Sequence, residues 1–248
     1  MRLILMLLLA SAAAAGEFID NWPRGKTENL SFEMIIHSQP QLKSYLQSRI
    51  TRSKDADDIF EIEQTIDIPG QSIKIVSTER YEAPALRLIS SVNRFELPAK
   101  MTEQLGVDTL RIIAERIGDS LEIKTNAEII PAEKIAFPTG YVTSAGAQLV
   151  SRNLDFAVGH VTEHTSVSLV ALGNLDFAPS IMVDSVMGKE NITISLGAFD
   201  CLKVKNTGRG VAGYSYYTPD PGHIPIKVDI IDPETGNITI SMILVKHE

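Results

Sequence analysis

A period-two alternation of apolar and polar residues constrains this chain more than any other feature. Successive side chains of an extended strand point to opposite faces, so such runs specify half-buried strands. Leu30, Phe32, Met34 and Ile36 are interleaved with Ser31, Glu33 and Ile35. Phe60, Ile62, Ile66 and Ile68 alternate with Glu61, Glu63, Thr65 and Asp67. Pro69-Gly70-Gln71-Ser72 then turns the chain into Ile73-Lys74-Ile75, which predicts a hairpin. Leu110 to Ile117 and Leu121 to Thr125 flank Gly118-Asp119-Ser120 as a second hairpin, with a helix over residues 101–116 as its competitor.

The pattern sharpens toward the C-terminus. Ile192, Ile194 and Leu196 alternate with Asn191, Thr193 and Ser195, and Ile224, Ile226, Val228 and Ile230 with Pro225, Lys227 and Asp229. Asp232-Pro233-Glu234-Thr235-Gly236-Asn237 turns into Ile238, Ile240, Met242 and Leu244, a final antiparallel hairpin. Pro225 places its strand at an edge, or itself near a strand start. One helix is expected over Ser144 to Arg152, capped by Thr143 or Ser144. Regular helices between strands are missing, which excludes a parallel βαβ architecture. The expectation is a mainly β fold, α+β only through one or two short helices. It is a curved antiparallel sheet or partly open β-barrel, in one domain over 16–248 with an internal boundary at Pro131 to Gly140.

The N-terminus reads as a secretory signal peptide over residues 1–15. Arg2 supplies the positive start, Leu3 to Leu9 the apolar stretch, and Ala13-Ala14-Ala15 the small-residue cleavage site. The apolar stretch is far shorter than the roughly 20 residues of a membrane span. No cysteine stands at its end to accept a lipid. A soluble periplasmic or secreted product is expected. Cys201 is the only cysteine, so no intramolecular disulfide can form, and a free thiol is best tolerated buried. The balance of 31 acidic against 23 basic residues argues against a nucleic-acid partner.

Each chemical motif competes with a plainer reading. Gly208-Arg209-Gly210-Val211-Ala212-Gly213 matches the dinucleotide fingerprint, but Tyr214-Ser215-Tyr216-Tyr217-Thr218-Pro219 follows where a helix is required. A hairpin connection is expected instead, and no cofactor. His160 and His164, with Glu163 between them, share one face, yet no third metal ligand is in sight, so a solvated polar face is expected. Asp55, Asp57 and Asp58 lack the glycine and glutamate of a calcium loop and read as a solvated turn. His37, His223 and His247 are isolated, and no catalytic residue is assigned. Asn29, Asn191 and Asn237 open formal glycosylation triplets. Tyr214 and Tyr216 share a strand face and are the candidate ligand-binding residues, stacking on a sugar or an apolar ligand, against a plain core-packing role.

Gly188-Lys189-Glu190, Leu196-Gly197-Ala198-Phe199-Asp200-Cys201-Leu202-Lys203-Val204, Tyr217-Thr218-Pro219-Asp220 and His223-Ile224-Pro225-Ile226-Lys227-Val228 carry a family resemblance. So do Phe137-Pro138-Thr139-Gly140 and the segment before Leu154-Asp155-Phe156. Over about residues 131–247 the chain resembles the bacterial envelope family called domain of unknown function 3108. That family pairs a G-x-F-x-C/A-x-K-V strand with a later proline-containing strand. Tyr217 stands where its members commonly have tryptophan. The resemblance implies export and a β-rich fold, and no activity or catalytic residue. Three functions stay open: binding a lipid or other envelope component, assembly with an envelope protein through a strand edge, and glycan hydrolysis by two carboxylates. Binding is the leading expectation and an enzyme the last.

Overall fold

The computed structural model describes residue 19 and residues 22–55, 57–83, 85–143, 145–169, 177–208 and 211–248. Residues 1–15, read from the sequence as a signal peptide, lie outside them. Eight strands form a first meander: β1 (Thr27–Ile36), β2 (Lys43–Arg52), β3 (Ile59–Ile68), β4 (Ile73–Glu82), β5 (Arg87–Glu96), β6 (Thr109–Ile117), β7 (Ser120–Thr125) and β8 (Glu133–Ala136). Seven form a second: β9 (Tyr141–Thr143), β10 (Val161–Val167), β11 (Ser180–Ile194), β12 (Gly197–Gly208), β13 (Val211–Tyr217), β14 (Pro225–Ile231) and β15 (Ile238–His247). Helix α1 (Ala99–Leu105) joins β5 to β6, and α2 (Ala147–Arg152) follows β9.

All the strands belong to one 15-stranded sheet in the order β8-β7-β6-β5-β4-β3-β2-β1-β15-β14-β13-β12-β11-β10-β9. The first and last strands meet at its centre, where Phe32 faces Leu244 and Met34 faces Met242. The edge strands β8 and β9 are consecutive in the chain, separated only by Phe137 to Gly140. Every pairing is antiparallel except β9 with β10. Laid flat, fourteen strand spacings of about 4.8 Å would put the edges roughly 67 Å apart. The chain from Ala136 to Tyr141 spans at most about 18 Å. The sheet must therefore roll up, and it does so as the curved, mainly antiparallel sheet that the alternation predicts.

The alternation defines the inner face. Along β2, Ser44, Leu46, Ser48, Ile50 and Arg52 are buried while Lys43, Tyr45, Gln47 and Arg49 are exposed. The predicted hairpins form, with Pro69–Gln71 as a 3-10 turn closed by Ser72 in the left-handed region at φ 52°. The contested stretch 101–116 divides: α1 stops at Gly106, whose φ of 69° lets the Gly106 N–H reach the Thr102 carbonyl. Leu110, Ile112 and Ala114 then alternate inward on β6. Pro225 is the first residue of a central strand, where its missing N–H costs least. The expected helix is shorter than predicted and begins at Ala147. Thr143 belongs to β9, and its Oγ1 accepts the Gly146 N–H at 3.3 Å. Ser144 lies outside the described residues.

The interior of the first meander is filled by Phe60, Ile62, Leu88, Phe95, Ile112 and Leu121. The crossing segment adds Phe137, Val142 and Leu149 to the same cluster. β9 lies against β5, and the Thr143 hydroxyl meets Tyr81 Oη at 2.6 Å and donates to Glu79. Gly146 packs so tightly on Tyr81 that any Cβ there would strike its hydroxyl.

Arg152, at the end of α2, is only 1% exposed and makes a bidentate pair with Glu28 of β1 at 2.5 and 3.2 Å. It also donates to the Gly222 carbonyl at 2.6 and 3.0 Å and lies over Trp22, 5.1 Å from the ring centroid. This pair fixes α2 across the seam between the two meanders. Removing one partner of such a buried pair strands the other charge. Arg152→Ala should lower the unfolding free energy by about 3–5 kcal/mol. Arg49→Ala, which breaks an exposed pair with Glu63, should cost about 0–1 kcal/mol, both values read from urea titrations.

Candidate functional site

Inside the second meander the filling is incomplete. A cavity of about 680 Å³ separates α2 from the inner faces of β10 to β15. Phe32, Leu46, Met182, Val228, Ile230 and Met242 give it apolar walls. Its polar wall is a hydrogen-bonded chain that crosses three strands and ends on α2. Ser215 donates to Asn206 Oδ1 at 2.7 Å, Asn206 Nδ2 to Asp184 Oδ1 at 2.7 Å, and Ser151 to Asp184 Oδ2 at 3.3 Å. Tyr217 also lines the cavity, and burial pushes its hydroxyl up to about 12, so it stays protonated.

His164 of β10 stands on this wall. Its side chain is 7% exposed, and its Nδ1 lies 3.8 Å from Asp184 Oδ2, beyond hydrogen-bond length. Among the described residues neither ring nitrogen has a hydrogen-bond partner. Burial moves its pKa below the ordinary 6.5, against the opposing pull of Asp184. A neutral imidazole with both nitrogens unsatisfied is costly in a protein interior and is the group a bound molecule would complete.

The structure divides the histidine pair that the sequence grouped. His160 is half-buried, with Nε2 3.0 Å from Thr162 Oγ1 and Nδ1 3.7 Å from Asp155. His164 is not on a solvated face: the inward alternation of β10 carries it into the cavity wall. Among the described residues no group of three or more His, Cys, Asp or Glu is placed to hold a metal ion.

Tyr214 and Tyr216 share a strand face, as read from the spacing, but not the one that meets the cavity. Gly213, Ser215 and Tyr217 of β13 line it, and the two intervening tyrosines lie on the opposite face. There the Lys203 ammonium sits 4.4 Å from the Tyr214 ring and 5.6 Å from that of Tyr216. Tyr216 packs with Cys201, Ile226 and Leu244. The glycine fingerprint is a hairpin connection: Gly208 ends β12, Val211 opens β13, and the two are paired. Arg209 and Gly210 lie outside the described residues. Cys201 is a buried free thiol pushed up to about 11 by burial, which keeps it unreactive.

The acidic turn is more than solvated. Asp58 is held by Arg52 at 2.6 and 2.7 Å and by Arg24 at 3.3 Å. The hydrogen bonds from Arg52 keep its carboxyl below the usual carboxylate range. Of the isolated histidines, His37 bonds Ser241 at 3.1 Å, His223 stacks on Phe156 at 4.1 Å, and His247 approaches Glu28 at 3.3 Å. None of the three lines the cavity.

No protein-family model and no curated protein matches this chain. Among solved structures it is similar to a β-barrel-like protein of domain of unknown function DUF1849 from Brucella abortus. The likeness covers 91% of this chain and 98% of that one at 8% identity, with a TM-score of 0.58. At that identity the likeness shows the fold alone: a β-barrel-like sheet. A protein with a YmcC-like fold from Bacteroides fragilis has a TM-score of 0.33, at 11% identity over 92% of this chain and 98% of that one. A DUF1089 family protein from Pseudomonas aeruginosa has 0.36, at 13% identity over 79% and 86%. Among the described residues no helix is long and apolar enough to cross a membrane.

His164 sets a pH dependence. Its folded pKa is depressed, so as pH falls below 6.5 the unfolded chain takes up the proton first. The stability that depends on neutral His164 is present above 6.5 and is lost as pH falls toward the folded value. Between pH 7.5 and 5 the urea midpoint of the wild type should fall further than that of His164→Phe. Equal falls would show that His164 titrates alike in both states.

Proposed function

We propose that the protein is an exported, non-enzymatic binding protein that holds a lipid or another envelope component in the cavity between α2 and β10–β15. The observation that carries this reading is the cavity itself. Its volume of about 680 Å³ lies within the roughly 300–1,000 Å³ of small-molecule sites, and its apolar walls with one cluster of polar groups are typical of them. Export rests on the signal-peptide pattern of residues 1–15 and on the resemblance to the envelope family of domain 3108. Assembly through a strand edge has less support, because β8 has four residues and β9 three, too short to template a partner strand well. Glycan hydrolysis needs two carboxylates facing one ligand. At the cavity, Asp184 belongs to the hydrogen-bonded chain, and Asp229 is held by Lys227 at 2.8 Å and Ser241 at 2.6 Å.

The test is to express the full chain in a bacterium, purify it from the periplasm, extract it with organic solvent and identify the extract by mass spectrometry. Near-stoichiometric lipid is expected. Val228→Trp, which fills the cavity, should lower the co-purified amount at least tenfold while the protein stays folded. Lipid-free protein whose melting temperature does not respond to added lipid would contradict the proposal.

A further inference from the structure

We propose that the cavity selects a neutral, hydroxyl-bearing single-chain lipid over a fatty-acid anion, with the lipid hydroxyl donating its hydrogen to His164. This inference rests on the reading of the cavity as a lipid site and names the head group that the site accepts.

Two groups, Asp184 and His164, meet at the polar wall. Asp184 is 2% exposed and bonded by Asn206 and Ser151, both uncharged. Among the described residues no lysine or arginine pairs with it, and His164 Nδ1 stands 3.8 Å from its Oδ2. The one arginine lining the cavity among the described residues, Arg152, is engaged by Glu28 and the Gly222 carbonyl. The polar wall thus presents an anion and, among the described residues, offers no cation to a second one. A carboxylate head would enter a largely apolar space beside Asp184, unpaired and repelled.

The histidine decides what is welcome instead. A neutral imidazole carries one donor and one acceptor. The carboxylate of Asp184 lies on the Nδ1 side at 3.8 Å, which favours the proton there and leaves Nε2 as a bare acceptor. That nitrogen has no hydrogen-bond partner among the described residues. A hydroxyl satisfies it without adding charge. Ser151, Ser215 and Asn206 stand on the same wall for a second hydroxyl, while Met182, Val228 and Met242 suit the chain.

The test compares 1-oleoylglycerol with oleate, identical in chain and different in head, on delipidated protein at pH 8, by displacement of a fluorescent acyl probe. The glycerol ester should bind at least tenfold more tightly. Asp184→Asn keeps the shape and removes the charge, and should bring oleate to within about threefold of the ester. His164→Phe should weaken the ester about tenfold, the worth of one hydrogen bond in a dry site, and leave oleate nearly unchanged. Equal or tighter oleate binding by the wild type overturns the inference and leaves the lipid site standing. A preference that survives both substitutions overturns it too. Failure of both lipids to bind removes the lipid site itself. Should either variant fail to fold, the wild-type comparison and the other variant still decide.

Discussion

Phe137 to Gly140, four residues of chain, hold the two edges of a 15-stranded sheet within reach of each other. A flat sheet of that width would be several times wider than this connection can span. Rolling is therefore imposed by connectivity before any side chain is considered. The right-handed twist of strands supplies the direction in which a sheet curls readily. The short edge strands follow as well, since each lies where the chain is leaving one edge for the other.

The same crossing delivers a plug. As the chain passes from β8 to β9 and α2 it enters the rolled sheet, placing Phe137, Val142 and Leu149 among the inward side chains of the first meander. Backbone and helix ends brought inside need polar partners. The inner face supplies them in the middle of otherwise apolar strands: Glu79 and Tyr81 for Thr143, Ser48 for Gln148, Glu28 for Arg152, Asp184 for Ser151. The plug occupies the first meander and only skirts the second. The cavity is the space that remains, and the polar groups on its wall belong to the system that holds α2. Among the described residues lining the cavity, His164 alone has buried polar atoms without a hydrogen-bond partner, which makes it the group a ligand would complete.

Much of the sheet was legible because burial on one face writes itself as alternation. Phe60 to Ile68 and Ile238 to Leu244 state their strands and their inner faces outright. The turns were legible through Pro69-Gly70 and Asp232 to Asn237, where backbone geometry selects residue type. The 101–116 stretch was ambiguous because apolar residues at 110, 112 and 113 satisfy both periods, and Gly106 is what separates helix from strand. The cavity was not legible. Alternation shows that Tyr214 and Tyr216 share a face, but not whether that face is inside. The residues of β13 that meet the cavity include Gly213 and Ser215, whose small side chains leave no apolar signal in the sequence. His164 was paired with His160 by spacing, yet its character comes from Asp184, twenty residues away and brought near by the β10–β11 pairing. Polar residues at inward positions, such as Glu28, Glu79 and Asp184, were the available signal. They read as surface residues until a helix is known to lie inside.

Cavity and plug both depend on the rolled sheet, and a distance across it is the most direct measurement. Spin labels at Lys124 on β7 and Glu163 on β10, both exposed, in a Cys201→Ala background, report the separation by double electron–electron resonance. The two strands are twelve spacings apart in the sheet order. A rolled sheet with tethered edges predicts a distribution centred below about 40 Å, label arms included. A distribution centred near 60 Å, the span of an unrolled sheet, would contradict the account.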